Sequence, residues 1–216
     1  MSNLLITGGS GLLGSNLTKM AAPEFNVYAT YNKNIVTSDG VSFLGLDLTK
    51  PESINELRNL KPEIIIHCAA LADLDACERD PGAAYTQNVL MSINIANLAR
   101  ETGAYLINIS TDGVFDGIEG DYKEEDDANP VNVYGKTKLE AESEITAICP
   151  RSCSVRTNIY GWNKRDKFSL AEWMLSRLEN REELTGFKDV YFTPILVNDL
   201  GEALFKLIEL KYEGVL

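Results

Sequence analysis

The stretch "NLLITGGSGLLG", Asn3 to Gly14, decides the fold. A short apolar run ends in a glycine cluster, and apolar residues at helical spacing follow in "LLGSNLTKMAA". That order is strand, glycine turn, helix. Gly8, Gly11 and Gly14 stand at Gly-x-x-Gly-x-x-Gly spacing. Glycines at a strand-to-helix junction let the backbone turn sharply and approach a pyrophosphate. The helix N-terminus then supplies amide donors and the positive end of its dipole.

The alternation continues downstream. Further strands are expected in "NVYAT" (26–30), "VSFLGLDL" (41–48), "PEIIIHCAA" (62–70), "AYLINIST" (104–111) and "SCSVRTNIYG" (152–161). The fourth strand of the series is apolar on both faces, as a buried parallel strand should be. Helices are expected over 49–60, with Thr49 as cap and Pro51 in the first turn, and over 81–103 as one long helix closed by Gly103. Three more are expected over 132–148, 168–180 and 198–210. Six alternations predict a doubly wound α/β fold, a parallel sheet with helices on both faces. The expected division is a Rossmann domain over 1–157 that binds a dinucleotide. Residues 158–216 are expected to form a small, incomplete substrate lobe interleaved with the end of the sheet.

The totals narrow the function classes. The chain has 216 residues, 44% hydrophobic and 24% charged, with a formal net charge of −12. Nucleic acid is not an expected partner, because phosphate backbones are bound by basic faces. No apolar run approaches the ~20 residues of a membrane span. The start has neither the basic segment nor the apolar core of a signal peptide. Cys68, Cys77, Cys149 and Cys153 form no Cys-x-x-Cys pair and read as free thiols of a cytoplasmic protein. His67 is the single histidine, which removes a histidine-based triad and any multi-histidine metal site, so no metal is expected.

Proton chemistry must therefore use other side chains. The fifth strand ends in Ser110 and Thr111, and "NVYGKTK" (132–138) opens the next helix with Tyr134 and Lys138 on one face. In this fold ligands bind beyond the carboxyl ends of the strands, which brings these four residues to one edge. A phenol can protonate a carbonyl oxygen as hydride arrives. A nearby ammonium should lower the phenol pKa from ~10. Thr111 can orient the carbonyl, and Gly135 leaves room for the cofactor. The second strand ends in "TYNKN", where Tyr31 and Asn32 precede Lys33 and no acid is present. An acid there favours NAD; a cation neutralises a 2′-phosphate, so NADP(H) is preferred and NAD(H) remains possible. Asp47 is placed to accept from the adenine amino group. Ala69 and Ala70 are small enough for the cofactor to lie flat. The loop from Asp116 to Pro130, with five acids between Asp121 and Asp127, is either a solvated loop or a substrate-side wall.

These pieces occur in an order that carries a resemblance. "ITGGSGLLGSNL", "IIIHCAALADLDACERDP", "INISTDGVFDG", "YKEEDDANPVNVYGKTKLEAE" and "VRTNIYGWN" resemble the dTDP-4-dehydrorhamnose reductase branch of the extended short-chain dehydrogenases/reductases, over about three quarters of the chain. The resemblance implies a catalytic trio of Thr111, Tyr134 and Lys138. It implies cofactor contacts from Gly8, Ser10, Gly11, Leu12, Leu13, Asp47, Leu48, Cys68, Ala69, Ala70, Leu71 and Asn88. Gly14, Lys33, Ser110, Tyr134 and Lys138 complete that set. It also implies reduction of the 4-keto group of a nucleotide-linked 6-deoxyhexulose, in the synthesis of dTDP-L-rhamnose. The substrate is expected near Asp112, Val114, Phe115, Asn158, Tyr160 and Trp162, with Arg156 as a structural ion-pair partner. Dimers are common in that family, so a homodimer is admitted, although no local signature marks one.

Two departures bear on substrate choice. Gly113 stands where the family pattern usually has tyrosine. Relatives also continue past "YEGVL" into another strand and helices that help enclose the substrate, so "GVL" is expected to begin that strand and to leave an unpaired, half-built substrate lobe. Other activities remain open: a cofactor-binding regulatory subunit, like the β subunit of methionine adenosyltransferase, or a nucleotide-sugar epimerase.

Overall fold

The computed structural model describes residues 1–164 and 168–216. Its centre is a sheet of parallel strands in the order β3-β2-β1-β4-β5-β6-β9. The strands are β1 (Asn3–Thr7), β2 (Asn26–Tyr31), β3 (Val41–Gly45), β4 (Ile64–His67), β5 (Tyr105–Ile109), β6 (Ser152–Val155) and β9 (Gly214–Val215). A pair, β7 (Ile159–Tyr160) and β8 (Ile195–Leu196), forms a second small sheet. The strand order reverses direction at β1, and the crevice between β1 and β4 is the switch point where such sheets take ligands.

Alternation along the strands sends side chains to two cores. Leu4 and Ile6 of β1 pack with α1 (Leu12–Ala21) and α8 (Val197–Leu210) on one face. Leu5 packs on the other face with α2 (Pro51–Asn59), α5 (Met91–Thr102) and α6 (Val133–Ile148). α1, α2, α5 and α8 are amphipathic and are held by burial of an apolar face, whereas α6 buries Thr137, Lys138 and Glu142 beside Ala141 and Ile145. The doubly wound expectation is met.

Several local expectations are corrected. The long helix over 81–103 is three pieces: α4 (Pro81–Tyr85), a five-residue π turn (Thr86–Leu90) and α5. A further short helix, α3 (Leu74–Arg79), is capped by Asp73, whose carboxylate accepts from Ala76 N at 2.8 Å. Thr49 is not the cap of α2: Lys50 holds that position, and Thr49 bonds Asp47 instead. The sixth strand stops at Val155, and Ile159–Tyr160 of the expected run pair instead with β8 in the small second sheet; Arg156 N–H still donates to Leu216 O at 2.7 Å, as a last rung toward β9. The "GVL" strand has a neighbour, with Gly214 and Val215 in register with Cys153 and Ser154 of β6. The remaining helix, α7 (Leu170–Glu179), is opened by a Ser169–Glu172 capping box.

The glycine turn works through backbone contact. Gly8 adopts φ +67° and its carbonyl accepts from Gly11 N–H at 2.9 Å. A Cβ on Gly8 would lie 2.9 Å from the backbone of Ala69, and one on Gly14 would collide with the Gly8 carbonyl. Gly14 thus lets α1 press against the turn that precedes it. Gly14→Ala should lower stability by about 1–3 kcal/mol. Gly186→Ala, where the added methyl meets open space, should stay within about 0.5 kcal/mol. Paired thermal denaturation curves check both.

Candidate active site

Two clefts open at the carboxyl ends of the strands. The smaller, about 560 Å³, is lined by Gly8, Ser10 and Gly11 of the turn, by Thr30 to Asn34 after β2, by Leu46 to Thr49 after β3, and by Cys68 to Ala70 after β4. Ala83, Thr86, Gln87 and Met91 close its far side. The larger, about 1050 Å³, is lined by Asp112 and Phe115, the acidic loop 117–124, Val155 to Asn158, and residues from 189 to 195 with Leu200 and Leu216.

Each residue singled out above has a definite place. Gly8, Ser10, Gly11, Tyr31, Asn32, Lys33, Asp47, Leu48, Cys68, Ala69 and Ala70 line the smaller cleft. Lys33 is exposed there, with no ion pair among the described residues. Asp47 accepts from Thr49 N and Oγ1, which holds its carboxyl below the usual range. Leu12, Leu13 and Gly14 lie in or against the core and not on the cleft wall. In the larger cleft, Asp112 accepts from Asn158 Nδ2 at 3.2 Å. Phe115 is stacked on Tyr122, with ring centroids 4.5 Å apart, and the Arg156 guanidinium lies 5.1 Å over its other face. Val114 is fully buried behind this wall, whereas Trp162 is exposed outside both clefts. Tyr160 stands on β7, in the small second sheet.

The loop after β5 is ordered by its own acids. Asp116 accepts from Ile118 N–H, Tyr122 Oη and Asn129 Nδ2. Of the five acids, Asp121 and Glu124 line the larger cleft, while Glu125, Asp126 and Asp127 lie off it in an exposed stretch, so both readings of the loop hold in part.

Among the described residues none of α6 lines either cleft; its start packs against the turn Asp112–Val114, of which Asp112 lines the larger one. Asn132 caps the helix, accepting from Gly135 N at 2.7 Å. Gly135 has a different reason from the one expected. A Cβ there would strike the Gly113 carbonyl and Pro130. Gly135 lets the helix start seat against the turn Asp112–Val114, which brings Tyr134 close to Thr111. Thr111 Oγ1 accepts from Gly113 N at 3.1 Å, which fixes the hydroxyl. A Cβ on Gly113 would clear every group but Thr111, whose Oγ1 would lie 3.3 Å away.

Electrostatics link the helix to both clefts. The Tyr134 phenol is pushed up to about 12, first by burial, then by Cys77 and Asp112; a hydrogen bond with Thr111 opposes this. That reverses the expected lowering. The physical reason is that burial penalises phenolate, while Lys138 faces another charge. Lys138 is 1% exposed, and burial brings it down to about 8; Glu142 and then Cys68 oppose the fall. Asp112, which acts on Tyr134, lines the larger cleft, and Cys68, beside Lys138, lines the smaller. A phenol at about 12 is fully protonated near neutrality, the form a proton donor needs.

A layer of hydrogen bonds beneath these groups escaped the reading of the sequence. Asn88 does not face a cleft. Its Oδ1 accepts from Leu71 N at 2.7 Å, and its Nδ2 donates to Leu71 O at 3.1 Å and Thr137 Oγ1 at 3.0 Å. It clamps the loop after β4 to α6, from within the π turn, a feature common at functional sites. Ser110 donates to the Glu142 carboxylate rather than pointing into a cleft. His67 lies between Thr7 Oγ1 at 2.7 Å and Ser92 Oγ at 3.2 Å, and burial holds it neutral down to about 3. Glu142 had one local sign, its position four residues after Lys138.

Comparisons with known proteins agree with this architecture. A family model described as the RmlD substrate binding domain matches residues 1–215. The dTDP-4-dehydrorhamnose reductase of Salmonella typhimurium is 34% identical over 195 residues, which is 89% of this chain and 62% of that enzyme. Methionine adenosyltransferase 2 subunit beta of Bos taurus is 40% identical over 151 residues, 66% of this chain and 42% of that protein. The solved structure of dTDP-4-dehydrorhamnose reductase from Bacillus anthracis in complex with NADP superposes with a TM-score of 0.87 at 29% identity, covering 100% of this chain and 73% of that one. The chain thus spans less than two thirds of the length of the Salmonella relative.

The buried histidine has a consequence for stability. The folded-state value of about 3 lies below the ordinary value of 6.5. The unfolded chain therefore binds one more proton between these limits. The contribution is complete above pH 6.5 and falls as pH drops toward 3, by at most about 1.4 kcal/mol per pH unit. Urea midpoints measured from pH 7 to pH 4 should fall less steeply in His67→Gln than in the parent, by about one proton's worth of slope.

Proposed function

The chain belongs to the RmlD substrate binding domain family, and from that premise we propose that it is an NADP(H)-dependent reductase of the 4-keto group of a nucleotide-linked 6-deoxyhexulose. The observation that carries the proposal is the start of α6: Gly135 seats it against the Asp112–Val114 turn, which brings Tyr134 to Thr111, with Lys138 buried one helical turn further on. Residues 1–157 supply most of the smaller cleft, and 158–216 join in walling the larger.

The smaller cleft fits a dinucleotide. The Gly8–Gly11 turn offers backbone at close range, and Ala69 and Ala70 offer a flat wall. Lys33, exposed on its rim and without an ion pair among the described residues, is suited to pair with a 2′-phosphate. The nicotinamide supplies hydride when bound. The chain's own residues do the rest. Thr111 hydrogen-bonds the carbonyl oxygen and orients it toward the phenol. Tyr134 gives its proton to that oxygen as charge develops there. Lys138 stabilises the phenolate left behind, once the site is filled and the two groups act together. General acid help of this kind is worth roughly 10²–10⁴-fold in rate. The carboxylates of the larger cleft, with Asn158, are suited to accept from sugar hydroxyls.

The similarity to the methionine adenosyltransferase β subunit favours a second reading, a cofactor-binding subunit without turnover. The two separate cleanly in solution. Under the reductase reading, NADPH is consumed with a dTDP-4-keto-6-deoxyhexose, and Tyr134→Phe loses at least about 100-fold in kcat while its NADPH affinity, followed by fluorescence, stays within a factor of about three. Equal turnover in the variant would overturn the role of Tyr134. In a separate comparison, Lys33→Ala should weaken NADPH binding about tenfold and leave NADH unchanged, as loss of one phosphate partner of about 1.4 kcal/mol requires.

A further inference from the structure

Tyr134, Lys138 and Glu142 follow one another at four-residue steps, so one stripe of α6 carries phenol, ammonium and carboxylate in series. Glu142 is 4% exposed. Its carboxylate accepts from Ser110 Oγ at the end of β5. From the other side, Arg156 donates to it through Nε at 3.2 Å to each oxygen and through Nη2 at 2.8 Å. Arg156 is paired with this carboxylate directly. Lys138, one helical turn before it on the same stripe, is a second cation on which the carboxylate acts, although the two form no ion pair among the described residues. The same Arg156 lies over Phe115, which walls the larger cleft.

We propose that Glu142 is a positioning residue: held by Ser110 and Arg156, it keeps Lys138 charged and aligned behind Tyr134. This inference rests on the reductase reading for its effect on rate, and not for its effect on Lys138.

The surroundings of Lys138 support it. His67 and Cys68 face it from β4 and the loop that follows. Both are neutral near pH 7, His67 because burial lowers it to about 3 and Cys68 because burial raises it to about 12. The π turn and α5 present Asn88 and Ser92, which do not titrate. Cys77 of α3 and Asp112 face Tyr134. Glu142 is therefore the group that opposes the desolvation of Lys138 most strongly. With Arg156 holding the carboxylate on its far side, Glu142 cannot swing away to a lone pairing with Lys138.

The test is the ¹⁵N titration of the Lys138 Nζ resonance in the full chain, assigned by its loss in Lys138→Met. In the parent it should titrate near 8; a midpoint below 7 would overturn the proposal. In Glu142→Gln, which keeps the shape and an acceptor for Ser110, the midpoint should fall by at least about one unit, a tenfold change in the proton equilibrium. In Arg156→Met, which frees the carboxylate for Lys138, it should rise. Glu142→Asp should restore most of the parent value. An unchanged midpoint in a folded Glu142→Gln protein, or in Arg156→Met if the former does not fold, would overturn it. Turnover gives a separate readout. The alkaline limb of the kcat profile should move to lower pH in Glu142→Gln with the Nζ midpoint, whereas a purely structural role would lower kcat equally at every pH. If the titration shifts while no variant or parent shows turnover, the reductase reading fails and this one stands.

Discussion

The buried carboxylate of Glu142 is the constraint on which the site depends. It joins three elements that are far apart in the chain: the end of β5 through Ser110, the residue after β6 through Arg156, and α6 itself. Taking charges out of water is unfavourable unless they are paired and hydrogen-bonded, and removal of one partner of such a cluster is worth on the order of 3–5 kcal/mol. The cluster therefore fixes how α6 lies over the sheet. Tyr134 and Lys138 inherit their positions from it. Gly135 and Asn132 then set the first turn of the helix against the 112–114 turn, and Asn88 ties its middle to the loop after β4.

The sheet explains why this happens at one edge. Parallel strands bring all their carboxyl ends to the same side, and the order reversal at β1 leaves a crevice there. The glycine turn fills the crevice from one side with backbone and no side chain. The loops after β2, β3 and β4 form the rest of its wall. The longer loop after β5 reaches over the neighbouring space, where Asp116 organises it and the Phe115–Tyr122 stack stiffens it. Two clefts of different character result, one lined by backbone and small residues, the other by acids and aromatics.

Much of this was legible in the chain because its signals are local. The Gly8 to Gly14 turn, the apolar run of β4 and the Tyr134–Lys138 spacing each depend on residues within a few positions of one another. What was not legible depends on tertiary neighbours. Asn88 reads as one polar residue in a helical stretch; only its contacts with Leu71 and Thr137 give it a purpose. The π turn leaves no pattern, since periodicity cannot register one extra residue. The sixth strand ends at Val155 because the following residues pair with β8 in a second sheet, and strand propensity says nothing of that partner. The phenol moved opposite to expectation for the same kind of reason: spacing predicts that Tyr134 and Lys138 share a face, but burial, Cys77 and Asp112 are what act on the phenol, while Glu142 is what acts on the ammonium.

The central claim is that hydride reaches a sugar carbonyl held between the two clefts. The most direct measurement follows the hydrogen itself. NADPH deuterated at C4 of the nicotinamide, given with a dTDP-4-keto-6-deoxyhexose and the purified chain, should place one deuterium on C4 of the sugar, seen by NMR and mass spectrometry, in step with loss of absorbance at the reduced nicotinamide band. Oxidation of the cofactor without label at C4, or binding of both molecules with no transfer, would contradict the account.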